Sequence, residues 1–340
     1  MDAMSLQTTE QLVAPFPYFG GKRRALDIVW PRFGEVDNYV EPFCGSLAML
    51  LGAPEGRRVE TINDANGFVA NFWRAIANDP EAVAHWADYP VSEIDLHARH
   101  GWLVNRTEKL LWSLEDPDHY DAKIAGWWVW GACAWIGSGW CLGKGPWKSN
   151  GVEIVKSDSG QGINRKLPHV GDSGQGINRQ LPHVSNSGPG INRKLPHVGD
   201  SGRGEFILDW FNRLSDRIRD VRVCCGDWSR IVTPVVTTRH GVTAVFLDPP
   251  YDTDCEKGLY GQEGAVSTTV RNWCLKNGND PDLRIALCGY DGEHDMPGWS
   301  KLDGKATNGG YGNSAGNANA NRERIWFSPS CIDLEKGLNL

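Results

Sequence analysis

Short apolar runs separated by polar turns dominate both ends of this chain, while the stretch between them follows a different rhythm. Val242 to Leu247 is a continuous apolar run of strand length, the pattern of a strand buried on both faces. Tyr39 to Phe43 reads as a strand running into the small-residue turn Cys44-Gly45-Ser46, and Val59 to Asn63 as a second strand that ends at Asp64. Pro17-Tyr18-Phe19-Gly20-Gly21-Lys22 is a glycine turn ahead of a helix-compatible segment, Arg23 to Val29, and Leu47 to Leu51 reads as a short helix start. Strand, small-residue turn, helix, strand and acid is the general order of a nucleotide-binding crossover.

From Phe68 to about Tyr120 the pattern turns helical and charged, with Trp73, Ile76, Ala77, Leu103, Leu110 and Leu111 as expected core positions. After Glu205 a helix is predicted over Phe206 to Arg219, followed by strands at Val221 to Cys225, Leu283 to Cys288 and Arg324 to Phe327. These late strands belong with the early ones. The economical reading is one α/β sheet, built from residues 12–75 and 206–330, interrupted by an inserted and mostly helical or irregular region at 76–205.

That insertion contains an internal repeat. Gly162-Ile163-Asn164-Arg165-Lys166-Leu167-Pro168-His169-Val170 recurs from Gly176 and again from Gly190, a period of fourteen within residues 159–204. The unit is too short for a solenoid, and its Gly, Ser, Asn and Pro favour turns. From Ser157 to Gly204 six Arg or Lys stand against three Asp, so the repeats are either a phosphate-contacting surface or a tolerated loop duplication. His169, His183 and His197 lack local ligand partners, and no metal is expected.

Composition narrows the class further. The 340 residues suffice for one large or two moderate domains. No apolar stretch approaches a membrane span and no export signal opens the chain; nine cysteines without paired C-x-x-C spacing read as intracellular thiols, hence a cytoplasmic protein without a membrane partner. A net charge of −7 argues against blanket nucleic-acid binding while leaving room for a local basic face. Sixteen tryptophans are the outlier, and the crowd at Trp127, Trp128, Trp130, Trp135, Trp140 and Trp147 reads first as buried packing and second as a base-stacking surface.

The candidate chemistry lies in Asp248-Pro249-Pro250-Tyr251, at the end of the apolar run. Two prolines stiffen the backbone, so the Asp248 carboxylate and the neighbouring carbonyls form a rigid acceptor set beside the Tyr251 ring. Such a set matches an exocyclic amino group on a nucleobase, which offers two N–H donors and a planar face. An ordinary strand-ending turn uses the same residue types, and the tetrapeptide alone does not separate the two readings.

Several motifs together resemble the Dam-like family (D12 class) of DNA adenine-N6 methyltransferases, in the arrangement where cofactor motifs precede the catalytic tetrapeptide. Pro17 to Lys22 is similar to the family's W-A-G-G-K motif, Tyr39 to Ser46 to its V-E-P-F-x-G turn, and Ile62-Asn63-Asp64-Ala65-Asn66 to its A-D-I-N segment. Asp248 to Tyr251 matches D-P-P-Y, and Thr307-Asn308-Gly309-Gly310 with Arg322 to Trp326 is similar to its S-N-G-G loop and closing strand. The chain departs from the family at Leu47, where a second glycine is usual, and throughout the repeats.

The resemblance implies a Rossmann-like S-adenosylmethionine-dependent methyltransferase sheet with a target-recognition region in the insertion. It implies that Tyr18 and Lys22 lie near the methionine end of S-adenosylmethionine, that the turn Pro42, Phe43, Gly45 and Ser46 passes beneath it, and that Asp64 accepts from its ribose. Asp248 serves both cofactor and target, with Pro249, Pro250 and Tyr251 completing the catalytic motif around a flipped adenine. The implied partner is double-stranded DNA, contacted by Lys144, Lys148, Arg165, Arg179, Arg193 and the Asn308 loop as candidates by position and type. The resemblance also implies a kind of enzyme of which many belong to phages or restriction systems. An RNA amino-methyltransferase and a catalytically silent DNA-binding protein remain open, and the recognition sequence and oligomeric state are unread.

Overall fold

The computed structural model describes residues 12–16, 18, 22–116, 118–135, 140–141, 147–149, 154–156, 203–251, 263–303 and 322–334. A 3-10 turn at Arg23–Ala25 opens into helix α1 (Leu26–Phe33), strand β1 (Asn38–Glu41), helix α2 (Ala48–Leu51) and strand β2 (Val59–Asp64). Five helices follow: α3 (Gly67–Asn78), α4 (Pro80–Ala87), α5 (Glu93–Val104), α6 (Thr107–Ser113) and α7 (Ala122–Ala134). A small hairpin, β3 (Trp147–Ser149) and β4 (Ile154–Lys156), precedes helix α8 (Arg203–Ile218) and strands β5 (Arg222–Cys225) and β6 (Thr243–Leu247). Helix α9 (Glu263–Asn277) and strands β7 (Leu283–Tyr290), β8 (Ser300–Asp303) and β9 (Glu323–Phe327) complete the order.

Seven of these strands form one sheet in the order β5-β2-β1-β6-β7-β9-β8. The first five run parallel, and β9 enters antiparallel between β7 and β8. From β1 the chain proceeds outward to β2 and β5, whereas from β6 it proceeds the opposite way. The strand order therefore reverses between β1 and β6, and the crevice at their carboxyl ends is where open α/β sheets bind ligands.

Alternation along the central strands divides the core between the two faces of the sheet. Tyr39, Ala244 and Phe246 join α1, α3 and α8 in the larger cluster, while Val40, Val245 and Leu247 face α9 through Val270 and Cys274. Helices α4 and α7 pack on α3 and α8, so the tryptophan-rich segment contributes to this same body. Trp128 lies 4.8 Å from Phe16, ring to ring, and Trp130 and Trp135 are buried with Leu96. Arg99 is held between the Tyr89 and Trp130 rings, 4.2 Å from each centroid. Among the described residues no helix is long and apolar enough to cross a membrane.

Two expectations need correction. Leu111 is 42% exposed and covers the surface at Gly67. Leu47 is the residue before α2, not its first turn, and adopts the left-handed conformation at φ 55°. Its side chain is nevertheless fully buried in the main core, which offsets the backbone strain and turns the isobutyl group away from solvent. Helix α9, strand β8 and the β3–β4 hairpin were not among the expected elements; β8 is a mostly exposed edge strand, without the apolar alternation that marks a strand in sequence.

Leu47 yields a test. Leu47→Ala should lose about 2–5 kcal/mol in urea unfolding. Leu47→Gly should lose about 1 kcal/mol less, reversing the usual order because only glycine adopts this φ without strain. Equal or greater loss in the glycine variant would contradict the left-handed assignment.

Candidate active site at the switch point

The turn after β1 is held from three sides. Asn63 donates its side-chain amide to the Pro42 carbonyl at 3.0 Å and to the Gly226 carbonyl at 2.9 Å, joining the ends of β1 and β5. Cys44 N–H donates to the Asn63 carbonyl at 2.9 Å, and the Trp73 indole of α3 donates to the Gly45 carbonyl at 2.9 Å. Gly45 sits at φ 42°, and a Cβ there would stand 2.5 Å from the Tyr18 ring. Glycine is thus required twice, for the turn and for the aromatic face laid on it.

Asp64 ends β2 beside this turn. One carboxylate oxygen accepts the Gly45 amide at 3.0 Å and the other the Asn66 amide at 2.8 Å. Burial raises its pKa to about 6 against the opposing pull of these two amides, so it is mostly ionised at neutral pH. Each oxygen keeps a lone pair for a further donor. Phe43 lies 6.2 Å from Trp228, with ring planes 30° apart, across the ends of β1 and β5.

On the next strand, β6 delivers Asp248, with Pro249 buried and Pro250 half-buried behind it. Lys22, which precedes the first 3-10 turn, reaches the Asp248 carboxylate at 3.0 Å and Glu323 of β9 at 3.6 Å. Tyr251 donates its hydroxyl to the other Asp248 oxygen at 2.9 Å. Its ring is edge-on to Tyr290, with centroids 4.6 Å apart, and stands 5.1 Å from the Lys22 ammonium. Burial works to lower the Lys22 pKa, but the Asp248 carboxylate, aided by Glu323, more than reverses this and keeps the ammonium charged. Tyr251 and Cys288 are pushed up by burial first and by Asp248 second, and both stay neutral.

Between the two groups lies Glu41, 2% exposed at the end of β1. Tyr39 donates its hydroxyl to Glu41 at 2.9 Å, yet burial dominates and pushes the carboxyl up to about 8. Glu41 is therefore mostly protonated at pH 7.

The structure thus brings Lys22, Asp248 and Tyr251 into contact, and likewise Tyr18, Gly45 and Asp64, on neighbouring strand ends. Pro42, Phe43 and Ser46 lie in the same turn. Lys144, Arg165, Arg179, Arg193 and Asn308 lie outside the described residues; Lys148 falls on β3, where only its strand position is described. Glu41, Glu323, Tyr290 and Trp228 join the site without having been singled out in the sequence. Glu41 lies within Tyr39 to Ser46 and Glu323 within Arg322 to Trp326, and Trp228 follows Gly226-Asp227 at a strand end. Among the described residues no group of three His, Cys, Asp or Glu side chains is placed to hold a metal ion.

Residues 18–115 match the family described as D12 class N6 adenine-specific DNA methyltransferase. The matched span contains Lys22, the turn after β1, Asp64 and α3 to α6, and ends before Asp248. No curated protein matches the chain.

The buried carboxyls set a pH dependence. Glu41 has an ordinary value near 4.5 and a folded value of about 8, so the native state binds its proton more tightly than the unfolded chain. Stability is then fully present below about 4.5 and declines as pH rises toward 8. Glu41→Gln should flatten that decline and exceed the wild type at pH 8.5 by at least about 1 kcal/mol in urea unfolding. Parallel curves for the two proteins between pH 5.5 and 8.5 would contradict it.

Proposed function

We propose that this chain, whose residues 18–115 match the D12 class N6 adenine-specific DNA methyltransferase family, is an adenine-specific DNA methyltransferase that uses S-adenosylmethionine as methyl donor and acts on an adenine turned out of duplex DNA. The observation that carries the proposal is the pairing of two strand ends. The turn after β1 and the acceptor set after β6 flank the sheet's switch point, and Lys22 ties the chain's first motif, Pro17 to Lys22, to Asp248 in that acceptor set.

The residues fit such a donor. A turn kept thin by Gly45 and an ionised Asp64 with spare lone pairs suit a ribose diol, and Phe43 with Trp228 offers apolar ring surface for a purine. When bound, S-adenosylmethionine supplies an electrophilic methyl on sulfur.

Adenine N6 is a weak nucleophile because its lone pair is delocalised into the ring. The Asp248 carboxylate and the Pro249 carbonyl hold the two N6 protons and turn the lone pair toward the donor, so catalysis is positioning in a fixed field. Both Asp248 oxygens already have partners, Lys22 on one and Tyr251 on the other. The arriving amine therefore displaces the Tyr251 hydroxyl, and the freed ring covers the extruded base. Lys22 keeps the carboxylate oriented through the exchange. The insertion at 76–205 supplies target recognition in this reading, and the charged repeats contact phosphate.

Asp248→Ala should reduce methyl incorporation into duplex DNA by about 100-fold or more while cooperative unfolding is retained. Sequencing of modified bases in DNA from expressing cells reads the product and its sequence context directly. Near-normal methylation by the variant would sink the mechanism. Tyr251→Phe should stay within about threefold of the wild type and Tyr251→Ala fall at least tenfold, since stacking needs the ring and not the hydroxyl. Equal losses in the two would instead give the hydroxyl the essential role.

A further inference from the structure

Three cations meet one aromatic cluster in the helical insertion. The Lys123 ammonium of α7 lies 5.0 Å from the ring centroid of Trp86, 5.2 Å from that of Trp102 and 4.5 Å from that of Trp127. The Arg106 guanidinium lies 3.6 Å from the Trp102 centroid, and that of Arg99 4.9 Å from Trp127. Local spacing explains the assembly. Lys123 and Trp127 stand four residues apart on α7, Arg99 and Trp102 three apart on α5, and each pair therefore shares a helix face. A Cβ at Gly126 would stand 2.4 Å from the Trp86 Cβ, so this glycine lets α4 close on α7 and brings the third indole in.

Among the described residues none of these three cations has a carboxylate within ion-pair distance. Asp95 acts on Arg99 from farther off, and the Asp121 carboxylate is taken by the Ile124 amide, capping α7. Arg99 is 9% exposed, and both its Nη1 and the Trp127 indole N–H are buried donors without an acceptor. Buried donors nearly always find partners, and like charges gathered without a counterion repel. Both shortfalls point to an anion rich in acceptor oxygens.

Resting on the DNA-substrate reading above, we infer that Arg99, Arg106 and Lys123, among Trp86, Trp102 and Trp127, form a docking site for a backbone phosphate of the DNA. A phosphate fits better than a base, because the indoles are already engaged by cations and the free groups are donors. Lys123 and Arg106 are half-buried and take the phosphate oxygens at the rim. Arg99, fixed between the Tyr89 and Trp130 rings, adds its field from below without moving. The indoles hold the two rim cations in place beforehand, so little side-chain freedom is lost on docking. A chain of net charge −7 needs such a gathered positive region to receive a polyanion. Its members are spread from residue 86 to 127, so no run of basic residues marks it.

Equilibrium binding of the full chain to duplex oligonucleotides between about 50 and 200 mM salt tests this. Lys123→Met, which keeps an apolar stem on the rings, and Arg106→Gln should each weaken binding about fivefold and lower the salt slope by about one, equally on every duplex sequence. Lys123→Arg should keep both affinity and slope. Calorimetric affinity for S-adenosylmethionine should match the wild type in all three. Unchanged affinity and slope in the two charge-removing variants would overturn the inference and leave the cluster as packing. A loss confined to particular sequences would overturn it too, by making these residues base readers. Inorganic phosphate at about 1 mM that stabilised the wild type but not Lys123→Met against heat, with the DNA slope unmoved, would assign the cluster to a free anion instead. A wild-type affinity that does not fall with salt would overturn the inference even if the variants fail to fold. No binding of duplex DNA by the wild type at all would defeat the DNA reading itself, and this inference with it.

Discussion

A buried ammonium cannot be left without partners, and Lys22 finds its own on two strands far away in sequence. One comes from the end of β6 and the other from the start of β9, so a residue near the beginning of the chain depends on two late strands being in place. The antiparallel insertion of β9 beside β7 is what brings Glu323 to the site. Sheet order and site chemistry are thus one constraint: if β9 ran elsewhere, Lys22 would lose Glu323 as a partner.

A second constraint works through hydrogen bonds on the turn after β1. Asn63, Asp64 and Trp73 each fix one peptide group of that turn, and Gly45 leaves room for the Tyr18 ring. The turn is therefore shaped before any ligand arrives, which lowers the ordering cost of binding. Leu47 shows what such shaping tolerates. A left-handed backbone position usually given to glycine carries leucine here because its side chain has a place in the core.

The same features show how far the residues could be read in advance. Parallel strands buried on both faces announce themselves as apolar runs, so β6 and β7 were legible, while β1 and β2 showed as short β-branched and aromatic segments running into turn residues, and the tetrapeptide and turn could be attached to the ends of β6 and β1. Edge strand β8 and helix α9 carry no comparable pattern, because neither places a regular apolar stripe on view in the sequence. Lys22, Asp64 and Asp248 stood out as residues within motifs. That Asp248 already holds a tyrosine hydroxyl, and that Tyr251 is buried in this arrangement, did not.

The sequence by itself determined the class of the sheet, the residue types at its strand ends and the acceptor chemistry of Asp248, because these follow from local periodicity and from proline and glycine at fixed positions. Only the tertiary structure decided which charges meet. Glu323 and Glu41 are ordinary acids in the chain; one comes within 3.6 Å of the buried Lys22 ammonium, and the other is kept mostly protonated at neutral pH. Net charge and ionisation in a buried site depend on distance and desolvation between strands, and neither quantity is written in the order of residues.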